Sequence, residues 1–387
     1  MIYILLANGA SVIPQFLPAV AQSLLLLWAL RVLMTQRFKP SLPITGVAVA
    51  LMLLMVGAVL TNETDEGLRF AKLLINALVA ALVAAGIERR YALCFGDVYT
   101  QAMLVMTLVG IAGLLLATLT PWHLTSAIGD RTYHTNLLTT WLRDGGFESS
   151  QTLFSPLPYR LQTMFDEPGT YGILLVPAFF HAVHRNRAWQ AALLLTGAFL
   201  SESANAWLLC GLILAVKACT VRSASAKLSL VLALLAALVA AWSTLVQLYE
   251  VKTGLDEAYA ANSSLSVRQA EYEYVRKAWL EHLLPLQNRQ ALAQFPDGIS
   301  VAYVSWYINA GLLLPIMLLP IMLALVAQML RSRLQLDPDR YFALALATTL
   351  LLSGFQRSSF LDNVLFMSLT FWAVIHRPPR MPSEAKA

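Results

Sequence analysis

The stretch RLQTMFDEPGTYG, 160–172, crowds Arg160, Asp166 and Glu167 ahead of an apolar segment, in a chain where only 13% of residues are charged. Further along, SLSVRQAEYEYVRKAWLEHLL, 264–284, carries Arg268 and Arg276, and GFQRSSFLDN, 354–363, carries Arg357. A guanidinium is planar, keeps its charge and matches phosphate oxygens with a two-pronged fork. Arg160, Arg268, Arg276 and Arg357 therefore read as a set of donors for a phosphate-bearing lipid. Arg268 and Arg276 lie eight positions apart, an offset of only about 80° on a helix, so both can face one cavity. Pro168 fits a first helical turn, which leaves Glu167 at the cap. A carboxyl group held there beside an arginine can act as a general base or orient an acceptor hydroxyl. With Asp166 it can equally do no more than favour the positive end of a helix, and the two roles are compatible.

What positions these groups is set by hydropathy. The chain has 387 residues, 58% of them hydrophobic, and a mean hydropathy of +0.63. The apolar residues recur in blocks along the whole length, which one signal peptide or one anchor cannot explain. The composition predicts an all-α, polytopic integral membrane protein, 1–387 forming a single membrane domain. Candidate spans are 11–33, 43–60, 70–87, 97–120, 169–183, 188–201, 204–218, 227–248, 300–329, 341–355 and 362–376, roughly eleven crossings.

Lysine and arginine accumulate in short cytoplasmic loops. The clusters Arg31/Arg37/Lys39, Arg89/Arg90, Arg185/Arg187, Lys217/Arg222/Lys227, Arg331/Arg333/Arg340 and Arg377/Arg380 all fall on one side if the N-terminus is outside and the C-terminus inside. A reporter fused at Lys39 is then expected inside and one at Asn62 outside; a cytoplasmic Asn62 would overturn the assignment of the loops that follow. The outer side holds an acidic loop, TNETDEG at 61–67, and two large loops, 121–168 and 249–299, both expected to contain helical patterning. In the second loop Leu265, Tyr272, Val275, Trp279 and Leu283 recur at helical spacing, an amphipathic helix at the membrane surface with Ser266 as its N-cap. The short blocks 188–201 and 204–218 flank LSESANAW, 200–207, and put Glu202 at the outer end of a tight hairpin, in a funnelled bilayer or a water-filled cavity.

The net charge of +5 does not imply nucleic-acid binding in a membrane protein, because placement governs its meaning. Cys94, Cys210 and Cys219 lack CxxC spacing and give neither a disulfide nor a metal site. His123, His134 and His282 read as interfacial polar groups in outer loops. No phosphate-binding loop, dinucleotide fingerprint, zinc-peptidase or serine-hydrolase motif is present, so any group transfer must use an already activated donor.

Four segments, in order, resemble the superfamily of O-antigen polymerases and O-antigen ligases. RLQTMFDEPGTYGILL, 160–175, is similar to its Arg, aromatic and Glu-Pro entry into a membrane helix; LTGAFLSESANAWLLCGLIL, 195–214, to its broken helix pair. NSSLSVRQAEYEYVRKAWLEHLLPL, 262–286, is similar to its Ser-x-Arg entry into an amphipathic periplasmic segment, and SVAYVSWYINAGLLLPIML, 300–318, to a returning helix with a mid-helix glycine, Gly311. The order and spacing agree over 150–330. The resemblance implies a GT-C-like, metal- and cofactor-free glycosyltransferase of the bacterial inner membrane. It would act at the periplasmic face on an undecaprenyl-diphosphate-linked oligosaccharide, among membrane lipids and alongside a chain-length regulator and a flippase. Arg160, Arg268, Arg276 and Arg357 would stabilise the leaving diphosphate. Glu167 would be the base, with Asp166, Glu202 and His282 in reserve and Arg268 also counted with the catalytic set.

Two departures stand out. The ligases' His-Asn before the returning helix is missing across 298–305, which weighs toward polymerase over ligase. The Ser-Arg common in the broken hairpin is here Ser201-Glu202, leaving the arginine's role to Arg160 or Arg357. A ligase of the same superfamily, and a lipid-linked oligosaccharide flippase or secondary transporter, are the alternative readings. Charge gathered in outer loops rather than at the midplane sets the chain apart from the transporter pattern.

Overall fold

A computed structural model describes residues 95–120, 123–128, 131–136, 139–144, 159–165, 167–220, 264–280 and 301–311, with isolated positions at 27, 31, 34, 157, 295, 299 and 349. Four helices pack together: α1 (Phe95–Leu119), α2 (Pro168–His184), α3 (Ala188–Leu200) and α4 (Ala204–Thr220). These helices fall at the positions of the apolar blocks 97–120, 169–183, 188–201 and 204–218. The other seven expected spans lie wholly or largely outside the described residues, as do Asp166, His282 and Arg357. Gly96–Leu119, with a hydropathy of 2.4, is long and apolar enough to cross a membrane.

Local chemistry sets the ends of these helices. Glu167 stands at the N-cap of α2 in extended conformation, with Pro168 in the first turn where its missing N–H costs nothing. Pro177, inside α2, likewise has no N–H to offer the carbonyl one turn back. Beside that gap the Tyr99 hydroxyl of α1 donates to the Leu174 carbonyl at 2.7 Å. Asp97, in the first turn of α1, meets Arg187 at 2.6 Å, His181 at 3.3 Å and Arg185 at 3.8 Å, which ties α1 to the α2–α3 turn.

Small residues let the helices approach. A Cβ on Gly172 would lie 2.7 Å from both Ser201 Oγ and Ser203 Cβ, and 3.1 Å from Ala206 Cβ. Gly172→Val is therefore expected to push α2 off the α3–α4 turn and to destabilise the bundle by about 1–3 kcal/mol. A thermal melt of the solubilised protein reads this directly, and an unchanged midpoint would contradict the packing. Across the same bundle Thr107 Oγ1 and the Tyr171 hydroxyl share a buried hydrogen bond of 2.8 Å that joins α1 to α2.

The first large loop departs from the expected helical patterning. It holds an antiparallel three-stranded sheet in the order β1 (Leu124–Ile128), β2 (Arg131–Thr135) and β3 (Thr140–Asp144). Threonine, tyrosine and tryptophan, as at Thr132, Tyr133, Thr140 and Trp141, suit a pleated surface better than a helix. The register pairs Leu124 with Thr135 and Ile128 with Arg131. Asn136 and Thr139 anchor the β2–β3 connection. Asn136 Nδ2 donates to Gly113 O of α1 at 2.9 Å, and Thr139 Oγ1 donates to Thr163 O at 2.9 Å.

In the second loop α5 (Ser264–Ala278) covers most of the expected amphipathic helix and packs on α6 (Ala302–Ala310). Because α5 starts at Ser264, Ser266 lies within its first turn and is not the N-cap. The buried face matches the apolar stripe read from spacing only in part. Val275 of that stripe packs, with Tyr274, on Val301, Val304 and Ile308, whereas Tyr272 and Trp279 are 40% and 50% exposed. Helix α6 ends where a continuous helix was expected, because Gly311 has φ 57 and ψ −140. That conformation is almost closed to residues with a Cβ, so Gly311→Ala is expected to destabilise the protein by about 1–3 kcal/mol. Equal melting of this variant and the parent would show that the break is not needed.

Candidate functional site

The site begins at the C-terminal end of α3, where a helix leaves its last carbonyls unpaired and a partial negative charge builds up. The incoming segment 159–165 satisfies them. Leu161 N donates to Leu200 O at 2.9 Å. Arg160 donates from Nε and Nη2 to Ser201 O at 3.2 and 3.0 Å, and from Nη2 to Glu202 O at 2.9 Å. Its Nε also lies 3.7 Å from Glu202 Oε2. Both side chains are buried, Glu202 with 1% of its surface exposed. The carboxyl group that the sequence put in a funnel or cavity thus faces a guanidinium brought from 42 positions away. Arg160, expected among the diphosphate donors, gives these bonds to the turn that in this chain reads Ser201-Glu202.

Backbone strain collects here. Glu202 has φ 48 and Thr163 has φ 57, left-handed conformations that cost of order 1–3 kcal/mol each in residues with a Cβ. Both strained peptides have their carbonyls held, Glu202 O by Arg160 and Thr163 O by Thr139. On the far side of the turn Ser203 Oγ accepts from Ala206 N at 3.4 Å, opening α4. Trp207 Nε1 donates to Ala198 O at 2.9 Å, closing the hairpin.

Glu167 stands at the same end of the bundle, half-buried. Its backbone carbonyl accepts from Tyr171 N at 3.2 Å, but its side chain makes no capping hydrogen bond to α2. Helix capping by the carboxyl group, the plainest structural role, is therefore not what this side chain does.

The sheet adjoins this end through Tyr159, whose ring stacks on Trp141 with centroids 4.3 Å apart and planes 5° from parallel. Burial holds the Tyr159 phenol well above its ordinary range. His134 lies beside Trp141 across β2 and β3, and His123 meets His134 edge-on at 3.9 Å. Of the histidines read as interfacial polar groups, His123 and His134 thus join an aromatic cluster on the sheet.

Arg268 and Arg276 occupy different surroundings on α5. Arg268 is half-buried and Arg276 exposed. One turn beyond Arg268 lies Glu271, completely buried, whose Oε2 accepts from Val301 N at 2.9 Å. Burial and then the neighbouring Glu271 push the Tyr272 phenol above its ordinary range, while Arg268 pulls it down. Glu271 escaped the sequence reading because EYEY presents Glu271 and Glu273 as equals; only docking on α6 separates them.

Comparison with protein families, characterised proteins and solved structures returns no match to this chain.

Proposed function

We propose that the chain is a polysaccharide polymerase of the bacterial inner membrane, transferring glycan from undecaprenyl diphosphate to a lipid-linked repeat unit at the periplasmic face. An acceptor hydroxyl attacks the anomeric carbon of the donor. The new carbon–oxygen bond forms as the bond to the diphosphate breaks, with inversion in a single step. The proton passes to a carboxyl group, and the diphosphate leaves with its negative charge. Glu167 is assigned as the base, Arg268 as a donor to the departing diphosphate, and Arg276 and Arg357 as further donors. Fixed positive charge aimed at developing negative charge does here what a metal ion does elsewhere.

The observation that supports this most is the construction at the outer end of α2–α4. Segment 159–165 is locked across the bundle mouth by Arg160, and Glu167 follows with its carboxyl group not used for capping. Such a rigid polar mouth on apolar helices suits a reaction between a lipid diphosphate and a sugar, whose rate depends on pre-aligned groups. Within it Arg160 acts first as the clamp that shapes the mouth.

The test is the glycan ladder on gels of a deletion strain complemented with wild type, Arg268→Ala or Glu167→Gln at matched membrane expression. Polymerisation at this site predicts a null strain that keeps single repeat units at the surface, and variants that reproduce it. Loss of single units as well would move export or ligation ahead. Normal ladders from both variants would overturn the site assignment.

A further inference from the structure

We propose that Glu271 is a positioning residue, which holds Arg268 in place for a lipid diphosphate by tying α5 to the head of α6. This rests on the reading of Arg268 as a diphosphate donor. Three observations carry it. The carboxyl group of Glu271 has no exposed surface, so its burial must be matched by hydrogen bonds, and Oε2 accepts from Val301 N at 2.9 Å. Val301 is the N-cap of α6. In a capping box the N-cap N–H is taken by an acid three residues into the same helix, but that position is Val304, and the acid comes from α5 instead. Lastly, Tyr274 and Val275 of α5 pack on Val301, Val304 and Ile308, so one face of α5 is docked and polar contact lies beside apolar contact.

Arg268 precedes Glu271 by three positions, on the same side of the helix. With α5 pinned at Glu271, the backbone that carries the half-buried Arg268 is held in place relative to α6. Unpinned, α5 can roll about its axis and the donor moves with it. Precise placement matters because a displaced charge loses most of its advantage over water at the reacting centre. The sequence between α5 and α6 is long, so no short connection sets their geometry.

The experiment measures binding of farnesyl diphosphate, with farnesol as control, to the full chain in detergent micelles, beside hydrogen exchange at the amides of 299–304. Arg268→Ala is expected to weaken diphosphate binding about tenfold or more, as loss of a charge-assisted hydrogen bond does. Glu271→Ala is expected to weaken it about tenfold and to speed exchange at residue 301, while farnesol binding stays as it was. Glu271→Gln, whose amide oxygen still accepts from Val301 N, is expected to restore both to within about twofold. Arg268→Ala combined with Glu271→Ala is expected to bind no worse than Arg268→Ala alone, because Glu271 acts through the arginine.

Faster exchange in Glu271→Ala with unchanged diphosphate binding would overturn the proposal while keeping the anchor. Additive losses in the double variant would overturn it too. Wild-type binding by Arg268→Ala would instead show that the diphosphate reading has failed, and the positioning role with it. Should Glu271→Ala not fold, Glu271→Asp, one methylene short of Val301, takes its place with the same expectations.

Discussion

Arg160→Ala is expected to destabilise the protein by about 3–5 kcal/mol, the usual result of removing one partner of a buried ion pair. The variant leaves the Glu202 carboxyl buried without its guanidinium, and takes the donors from Ser201 O and Glu202 O at the negative end of α3. Strain at Glu202 makes matters worse, since its left-handed backbone is held by the bond that is lost. Arg160→Lys should recover only part, because an ammonium is a point charge and cannot fork between two carbonyls. Glu202→Gln should be milder, at about 1 kcal/mol, since both carbonyl contacts survive. Thermal unfolding of a solubilised fluorescent fusion ranks the three, and a melting curve for Arg160→Ala equal to wild type would contradict the clamp. A lost glycan ladder in Arg160→Ala is consequently a folding result before it is a catalytic one.

Arg268→Ala is expected to behave in the opposite way, lowering polymer synthesis by about 10²–10³-fold while the protein stays folded. Arg268 is half-buried and is not among the residues packed on Val301, Val304 and Ile308, so its removal leaves the packing of Tyr274 and Val275 on α6 in place. Arg268→Lys should retain a fraction of the activity, keeping the charge but losing the fork. Arg276→Ala, at an exposed position, should cost less than Arg268→Ala. Chain length on a gel, normalised to membrane-inserted protein, gives the ranking. An Arg276→Ala defect larger than that of Arg268→Ala would mean that α5 presents its other side to the substrate.

Four of the helices were legible because their apolar blocks are bounded by residues with fixed conformational habits. Pro168 opens α2, and Ser201 to Ser203 separate α3 from α4, so hydropathy and turn chemistry agree on the ends. The sheet at 124–144 was not legible for the opposite reason. Its strands are five residues long, and its register depends on anchors to Gly113 and Thr163 that lie far off in the chain. The partnership of Arg160 with Glu202 was hidden likewise, since orphan carbonyls at a helix end leave no mark on composition. On α5 the sequence shows spacing but not which face is docked, and the aromatic stripe of Tyr272 and Trp279 outweighed the glutamate that is in fact buried. Gly311 was noticed, but its backbone angles, which turn a mid-helix glycine into a helix end, are a property of the fold.

The most direct measurement is reconstitution of the purified chain in proteoliposomes with undecaprenyl-diphosphate-linked repeat units and a metal chelator. The account predicts lipid-linked products that lengthen by whole repeat units, with one undecaprenyl diphosphate released for each unit added and with neither event in Arg268→Ala. Repeat units that cross the bilayer unchanged in length, or that lengthen equally well with Arg268→Ala, would contradict it.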